Sequence, residues 1–282
     1  MTQRPALTLR IIAAILFLTS AAWSAAYLAG LPFNSTTAGV SVAHAGVWLL
    51  IAWLALRNHP GQTAHAMPGW VTAAFLYGAA LYAPAVNAND AAVSLQGRLG
   101  LSNLQFGLIS PTAEELLKFT AVFVLCTMVM RIQRPVEAVT VAIAVGFGFS
   151  AVENATYILK GALENLNSDL DGSLVAAGIR CLPAPWAHAF YTGLTAWGLG
   201  NFLCRTDKPM RWRVGQLVGW YLFGYAAHAV FNTGTELPGD VAPIIGFFAT
   251  SIFVFAGGIW FYVRSRKIGR RPLAGSAGNE DA

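Results

Sequence analysis

Long apolar segments separated by short polar ones dominate the pattern along this chain. Eight of the segments approach the ~20 residues that an α-helix needs to cross the hydrocarbon core of a bilayer. They cover 9–30, 39–56, 69–86, 108–130, 136–159, 184–203, 213–232 and 241–263. The pattern predicts an all-α fold, a polytopic bundle of about eight transmembrane helices.

Polar and ionisable residues interrupt four of these segments. Such residues are costly at membrane depth, where they typically mark functional sites. The interruptions are Glu114, Glu115 and Lys118 in the fourth segment, Glu153 and Asn154 in the fifth, His188 in the sixth, and His228 with Asn232 in the seventh. Carboxylates and histidines in lipid surroundings indicate hydrolysis or proton handling.

The composition agrees with a membrane protein. The chain of 282 residues is 56% hydrophobic and 11% charged, with a mean hydropathy of +0.54, whereas soluble domains carry about 25% charged residues. The net charge of +5 is spread over short loops and the C-terminal tail, so it does not indicate a nucleic-acid partner. The three cysteines, Cys126, Cys181 and Cys204, lie in different segments. The sequence therefore indicates neither a disulfide framework nor a cysteine metal site.

The distribution of positive charge predicts the orientation. Most of the 18 Lys and Arg residues fall in one set of alternate loops, while the opposite loops hold only Arg98, Lys160 and Arg180. By the positive-inside rule, both termini are cytoplasmic. Arg4 and Arg10, followed by an apolar run and by small residues at 24–26, are also compatible with a cleaved signal peptide. The apolar run continues to residue 31, which favours an uncleaved span.

The spans and their orientation predict how the chain is organised and how deep each polar residue lies in the membrane. We expect three N-terminal spans in 1–104, a catalytic core in 105–235, and a last span with a basic tail in 236–282. The unusual residues of the four core spans then all lie in the outer third of the membrane. They share helix faces with small residues that let helices approach closely. These faces, with the polar residues included, are Ala142, Gly146, Ser150 and Asn154 in the fifth span; His188, Thr192, Ala196 and Gly200 in the sixth; and Gly224, His228 and Asn232 in the seventh.

Water-mediated hydrolysis is the chemistry that these residues favour. Glu114 or Glu115 can activate a water molecule, and Glu153 can transfer a proton or orient the substrate. Imidazole and amide groups stabilise an oxyanion, a role that suits His188, His228 and Asn232. Lys118, four residues after Glu114, is expected to be the counter-charge of the pair, and Asn154 to support the site.

Two alternatives remain open at this point. We expect no cofactor, but Glu115, His188 and His228 could instead hold zinc and leave one position for water. The chain contains no HExxH motif, so such ligands would come from separate helices. A proton-coupled transporter is the second alternative, because intramembrane Glu and His also form proton relays. Carriers usually bind near the midplane between repeats, whereas this cluster is off-centre and no repeat is evident.

The four polar motifs, in order and on separate spans, resemble those of the PrsW family of intramembrane proteases. Glu114-Glu115-Leu-Leu-Lys118 resembles its EExxK motif, and the stretch from Phe147 to Asn154 resembles the second, FxxxE followed by Asn. His188 and the pair His228 with Asn232 resemble the third and fourth. The family is related to CAAX-type prenyl endopeptidases.

The resemblance implies a multi-pass protein of the cell membrane. Its partners would be the lipid bilayer and a membrane-anchored protein substrate, such as an anti-sigma factor, which it would cleave near the outer face. Both metal-dependent and glutamate-dependent mechanisms are described for the family, and we favour glutamate without metal.

We also predict the surroundings of two residues outside the cluster. Glu137 stands near the cytoplasmic start of the fifth span, where a solvated carboxylate would interact with the helix dipole. His59 lies in a cytoplasmic loop, far from the predicted site.

Overall fold

The computed structural model describes residues 7–62 and 69–271, and these residues form helices without a strand. The helices are α1 (Leu7–Ala29), α2 (Ser35–Leu56), α3 (Trp70–Ala80), α4 (Tyr82–Leu99), α5 (Asn103–Ile109), α6 (Pro111–Val124), α7 (Pro135–Glu164), α8 (Asp169–Arg180), α9 (Ala184–Cys204), α10 (Met210–Thr235) and α11 (Ala242–Gly269). A π-helical turn, Leu125–Val129, extends α6. The all-α, polytopic bundle predicted from the sequence is confirmed.

Five of the described helical segments are long and apolar enough to cross a membrane: α1, α2, α3 with α4, α7 and α11. The other three predicted spans correspond to α6, α9 and α10, which carry polar residues of the predicted site. The short helices α5 and α8 lie between predicted spans and are additional to them.

Helix α7 forms the centre of the bundle. It packs against α2, α3, α8 and α9, and it is buried along most of its length. The predicted small-residue face is buried at Ala142, Gly146 and Ser150. A Cβ atom on Gly146 would lie 2.5 Å from the backbone of Ala189 on α9, so only glycine permits this approach. The close contact places the carboxyl-terminal half of α7 beside the first turns of α9.

The third predicted span is longer than the sequence indicated, because the chain remains helical to Leu99. Pro84 lacks a backbone N–H and therefore cannot bond to the carbonyl of Ala80, where the helix breaks. Ser24 of α1 compensates, since its Oγ donates to the Ala80 carbonyl at 2.9 Å and accepts from the Ala83 N–H at 3.1 Å. The prediction that this span ends near residue 86 was wrong, and α4 carries the half-buried Asn89 to the Glu114 side chain as a result.

A partly buried ion pair between Arg134 and Glu137 links α7 to α11 and to the loop after α2, at the end of the bundle that the charge pattern assigns to the cytoplasm. Arg134 donates from Nη1 to the Gly269 carbonyl and from Nη2 to the Pro60 carbonyl, both at 3.0 Å, and its Nε lies 3.2 Å from Glu137 Oε1. Glu137 is only 4% exposed. The prediction of a solvated Glu137 was wrong because this carboxylate holds an arginine that connects α7 with the loop after α2 and with α11.

His59 is a buried titratable group in the same region. Its Nδ1 accepts from the Gly61 N–H at 2.9 Å and its Nε2–H donates to Ser265 Oγ at 3.1 Å, with the side chain fully buried. Burial, together with the positive charges of Arg266 and Arg134, lowers the pKa of His59 to about 4. The folded protein therefore holds a neutral imidazole at pH values where an unfolded chain, with a histidine pKa of about 6.5, takes up a proton.

We expect this histidine to destabilise the protein in acid. Its contribution to the free energy of unfolding is complete above pH 6.5 and is lost between pH 6.5 and 4, by up to roughly 3 kcal/mol at about 1.4 kcal/mol per pKa unit. Melting temperatures of the detergent-solubilised protein, measured across this window, should fall more steeply for the wild type than for His59→Gln. Parallel curves would show that His59 does not contribute.

Candidate active site

Four helices bring the predicted site residues together. Helix α6 begins at Pro111, whose fixed φ suits the first helical turn, and it presents Glu114 and Glu115 to the bundle interior. Glu153 comes from α7, His188 from α9 and His228 from α10. These side chains are buried or nearly so: Glu115 is fully buried, and His188 and His228 are 4% and 3% exposed.

Lys118 compensates the negative charge of the cluster. Its Nζ lies 2.7 Å from Glu115 Oε1 and 3.6 Å from Glu114 Oε2, and it donates to His188 Nδ1 at 2.7 Å. The expected counter-charge is therefore present, but it pairs more closely with Glu115 than with Glu114. A fully buried ammonium requires such partners, because an unpaired charge is very costly away from water.

Each histidine is oriented by a carboxylate. His228 Nδ1–H donates to Glu115 Oε1 at 2.8 Å, and His188 Nε2–H donates to Glu153 Oε2 at 3.1 Å. These bonds leave His228 Nε2 and His188 Nδ1 as acceptors, and they lie 3.9 Å and 3.8 Å from Glu114 Oε2. A carboxylate behind an imidazole is the usual arrangement for a metal-binding histidine, since it fixes both the tautomer and the ring orientation.

Glu114 completes this arrangement. Asn89 Nδ2 donates to Glu114 Oε1 at 3.0 Å, whereas the buried Glu114 Oε2 has no hydrogen-bond partner among the described residues. One donor atom each from Glu114, His188 and His228 lies within 4.8 Å of the others, so these residues form a possible metal site. The sequence had assigned Glu115 to this set. In the structure, Glu114 Oε2 lies 3.8 Å from His188 Nδ1 and 3.9 Å from His228 Nε2, whereas Glu115 Oε1 contacts Lys118 and His228 Nδ1.

The two asparagines are hydrogen-bonded to side chains next to the cluster. Asn232, predicted to stabilise an oxyanion, donates from Nδ2 to Ser110 Oγ at 2.9 Å and so connects α10 to the start of α6. Asn154, predicted to support the site, accepts a hydrogen bond from Arg180 Nε at 2.7 Å. Arg180, which the charge pattern places at the membrane interface, thus reaches into the cluster.

Two further residues at the site were not predicted. Asn89 lies beyond the predicted end of the third span, and Tyr191 lies three residues after His188 in the sixth. The Tyr191 ring stacks on His228 with centroids 4.7 Å apart, and its buried hydroxyl has no partner in the part of the chain that the structure describes. The close spacing of His188 and Tyr191 on one helix was the only signal for the tyrosine.

Two cavities give access to the cluster and share Glu153 and Tyr157. The larger, of about 340 Å³, lies between α1, α4 and α7 and reaches Glu114. The smaller, of about 50 Å³, is bordered by His188 and His228. A volume of a few hundred Å³ is sufficient for substrate side chains or water, so buried polar groups of the cluster border a space that such groups can enter.

A helical membrane bundle whose carboxylates and histidines converge on a cavity is typical of polytopic membrane enzymes. The chain matches the family model described as PrsW family intramembrane metalloprotease over residues 67–259, which is more than half of its length. The chain therefore belongs to this family, as its motifs predicted, and is a hydrolase of the protease type. Neither the curated proteins nor the solved structures contain a match.

Proposed function

We propose that the protein is a metal-assisted intramembrane endopeptidase that cleaves a membrane-anchored protein near the extracytoplasmic face. One observation carries the proposal: two histidines, each oriented by its own carboxylate, direct their second ring nitrogens toward Glu114 Oε2, which has no hydrogen-bond donor among the described residues. A buried carboxylate oxygen without a donor is costly, and a bound cation would remove that cost.

The donor set fits zinc. Two imidazoles and one carboxylate are typical of catalytic zinc sites, which keep a further position for water, and Glu114, His188 and His228 would supply these ligands. When bound, zinc polarises the scissile carbonyl and makes a bound water more nucleophilic. Lys118 Nζ lies 2.7 Å from His188 Nδ1, so this ammonium and a metal ion compete for the same nitrogen.

The remaining residues orient the histidines and stabilise the tetrahedral intermediate. Glu115 holds His228, and Glu153 holds His188 and borders both cavities, where it can accept a proton from the attacking water and return it to the leaving amine. The unpartnered hydroxyl of Tyr191 beside the smaller cavity can donate to the oxyanion of the tetrahedral intermediate. Asn232 keeps α10 in register with α6 through Ser110.

A comparison of cleavage products in membranes tests the proposed function even while the substrate is unidentified. Cells producing the wild type, Glu115→Gln or Glu164→Gln are compared by proteomic mapping of new protein termini in membrane fractions. Glu164 is a matched control, because it is a carboxylate at the exposed end of α7 with a 3.7 Å contact to Lys160.

We expect wild type and Glu164→Gln to generate the same new termini in a membrane-anchored protein, and Glu115→Gln to generate none. The termini should lie at the extracytoplasmic end of a transmembrane segment of that substrate. Identical termini in all three strains, or termini confined to the cytoplasmic side, would contradict the proposed function.

A further inference from the structure

Arg180, the last residue of α8, binds the end of α7 through three contacts. Its Nη2 donates to Glu153 Oε2 at 2.5 Å, its Nε donates to Asn154 Oδ1 at 2.7 Å, and its guanidinium carbon lies 4.1 Å from the centre of the Tyr157 ring. The side chain is only 14% exposed. A planar guanidinium is suited to this geometry because its donors are fixed relative to one another.

The oxygen that Arg180 binds is the one that orients His188. Glu153 Oε2 accepts from both Arg180 Nη2 and His188 Nε2, the latter at 3.1 Å. Without Arg180, Glu153 would keep a single donor and lose the positive charge nearest to it. The carboxylate could then rotate toward either cavity, and the orientation of the His188 ring would no longer be fixed.

The backbone of α8 is positioned to deliver this contact. Gly172 faces Gly161 of α7, and a Cβ atom on Gly172 would lie 2.2 Å from the Gly161 carbonyl oxygen. On the other side, α8 contacts α2, where Ser173 Oγ donates to Thr37 Oγ1 at 3.4 Å. The position of Arg180 therefore depends on close helix packing in addition to its own side chain.

We infer that Arg180 is a positioning residue for the reaction: it fixes Glu153 so that His188 presents Nδ1 to Glu114. This inference rests on the proposed function, since it requires His188 to take part in hydrolysis. Among the described residues, Arg180 makes its hydrogen bonds to Glu153 and Asn154 and none to Glu114 or His228, so it acts on the chemistry through Glu153.

Steady-state cleavage of a membrane substrate by Arg180→Ala, Arg180→Lys and Arg98→Ala tests the inference. We expect Arg180→Ala to lower kcat about 10- to 100-fold, the range for partners that orient a ligand, with KM nearly unchanged. Millimolar guanidinium should restore part of this loss in Arg180→Ala and have no effect on the wild type. Arg180→Lys should recover only part of the rate, because one ammonium does not reproduce the two-pronged contact with Glu153 and Asn154.

Arg98→Ala is the matched control, because it removes an exposed arginine from α4 and should retain the wild-type kcat. An unchanged kcat in Arg180→Ala would overturn the inference, and so would a rise in KM alone, which would indicate a substrate contact. Absence of guanidinium rescue in an Arg180→Ala protein that melts like the wild type would also overturn it. A wild type that cleaves nothing would instead refute the proposed function itself.

A glycine pair on α8 tests the same inference without altering a charge. Gly172→Ala should displace α8 and lower kcat, whereas Gly178→Ala, where a Cβ atom meets nothing within 4 Å, should not. Equal kcat values for these two variants, in preparations that both retain the folded bundle, would show that the position of Arg180 does not matter.

Discussion

Replacing Glu114 with glutamine is expected to abolish cleavage, with a fall in kcat/KM of about 10²- to 10⁴-fold, the scale of a lost catalytic carboxylate. Glutamine keeps the shape of the side chain and an oxygen that can accept from Asn89. It removes the negative charge that faces His188 and His228 and places an oxygen or an amide N–H where Oε2 stands. The measurement is the rate of product formation from a membrane-anchored substrate by purified protein in liposomes.

A loss of cleavage is informative only if the Glu114→Gln protein is folded. Glu164→Gln makes the same chemical change at an exposed position of α7 and should retain the wild-type rate. The melting temperature of Glu114→Gln should stay close to that of the wild type, because Lys118 loses only its 3.6 Å contact with Glu114 and keeps its closer partner Glu115 at 2.7 Å. A Glu114→Gln protein that cleaves at the wild-type rate would remove Glu114 from the mechanism.

Removal of bound metal is expected to have the second large effect. Dialysis of the solubilised protein against a zinc chelator should lower activity by about 10²-fold or more, since a metal that polarises a carbonyl contributes several kcal/mol to transition-state stabilisation. Zinc added back after the chelator is removed should restore the rate. Added calcium or magnesium should not, because these ions prefer oxygen ligands to imidazole.

The chelation experiment separates the two mechanisms that the sequence left open. Full activity after chelation, in a protein shown to be free of metal, would favour hydrolysis by a glutamate-activated water alone. In that case Glu114, with its free Oε2, would be the base, and His188 and His228 would stabilise the oxyanion.

The sequence predicted the helices and the convergence of the polar residues because both depend on local rules. Apolar length defines a span, and the cost of ionisable groups in lipid singles out Glu114, Glu115, Glu153, His188 and His228. Small residues at every fourth position indicated the faces that meet. The buried stripe of α7 with Gly146 agrees with that indication.

The sequence could not decide which glutamate lies near both histidines and which one contacts His228 alone. Glu114 and Glu115 are adjacent in a helix and point about 100° apart, so the rotation of α6 within the bundle sets their roles. That rotation depends on partners from distant helices, such as Asn89 on α4. The position of Asn89 depends in turn on Ser24, which compensates for the helix break before Pro84.

Long side chains were the other source of error. Arg180 and Arg134 were counted as loop charges, because the charge pattern registers position along the chain and not reach. Both extend into the bundle and bind buried carboxylates, Glu153 and Glu137 respectively. Such contacts follow from the packing of α8 and of the loop after α2, which no short motif encodes.

The metal content of the purified protein tests the central claim most directly. Elemental analysis of the wild type, Glu114→Gln and Glu164→Gln, prepared identically and normalised to protein concentration, gives the zinc bound per chain. We predict about one zinc ion per chain in wild type and Glu164→Gln, and a large loss in Glu114→Gln. A cleaving wild type without stoichiometric metal, or a Glu114→Gln protein with its full complement, would contradict the assignment of Glu114, His188 and His228 as a metal-assisted peptidase site.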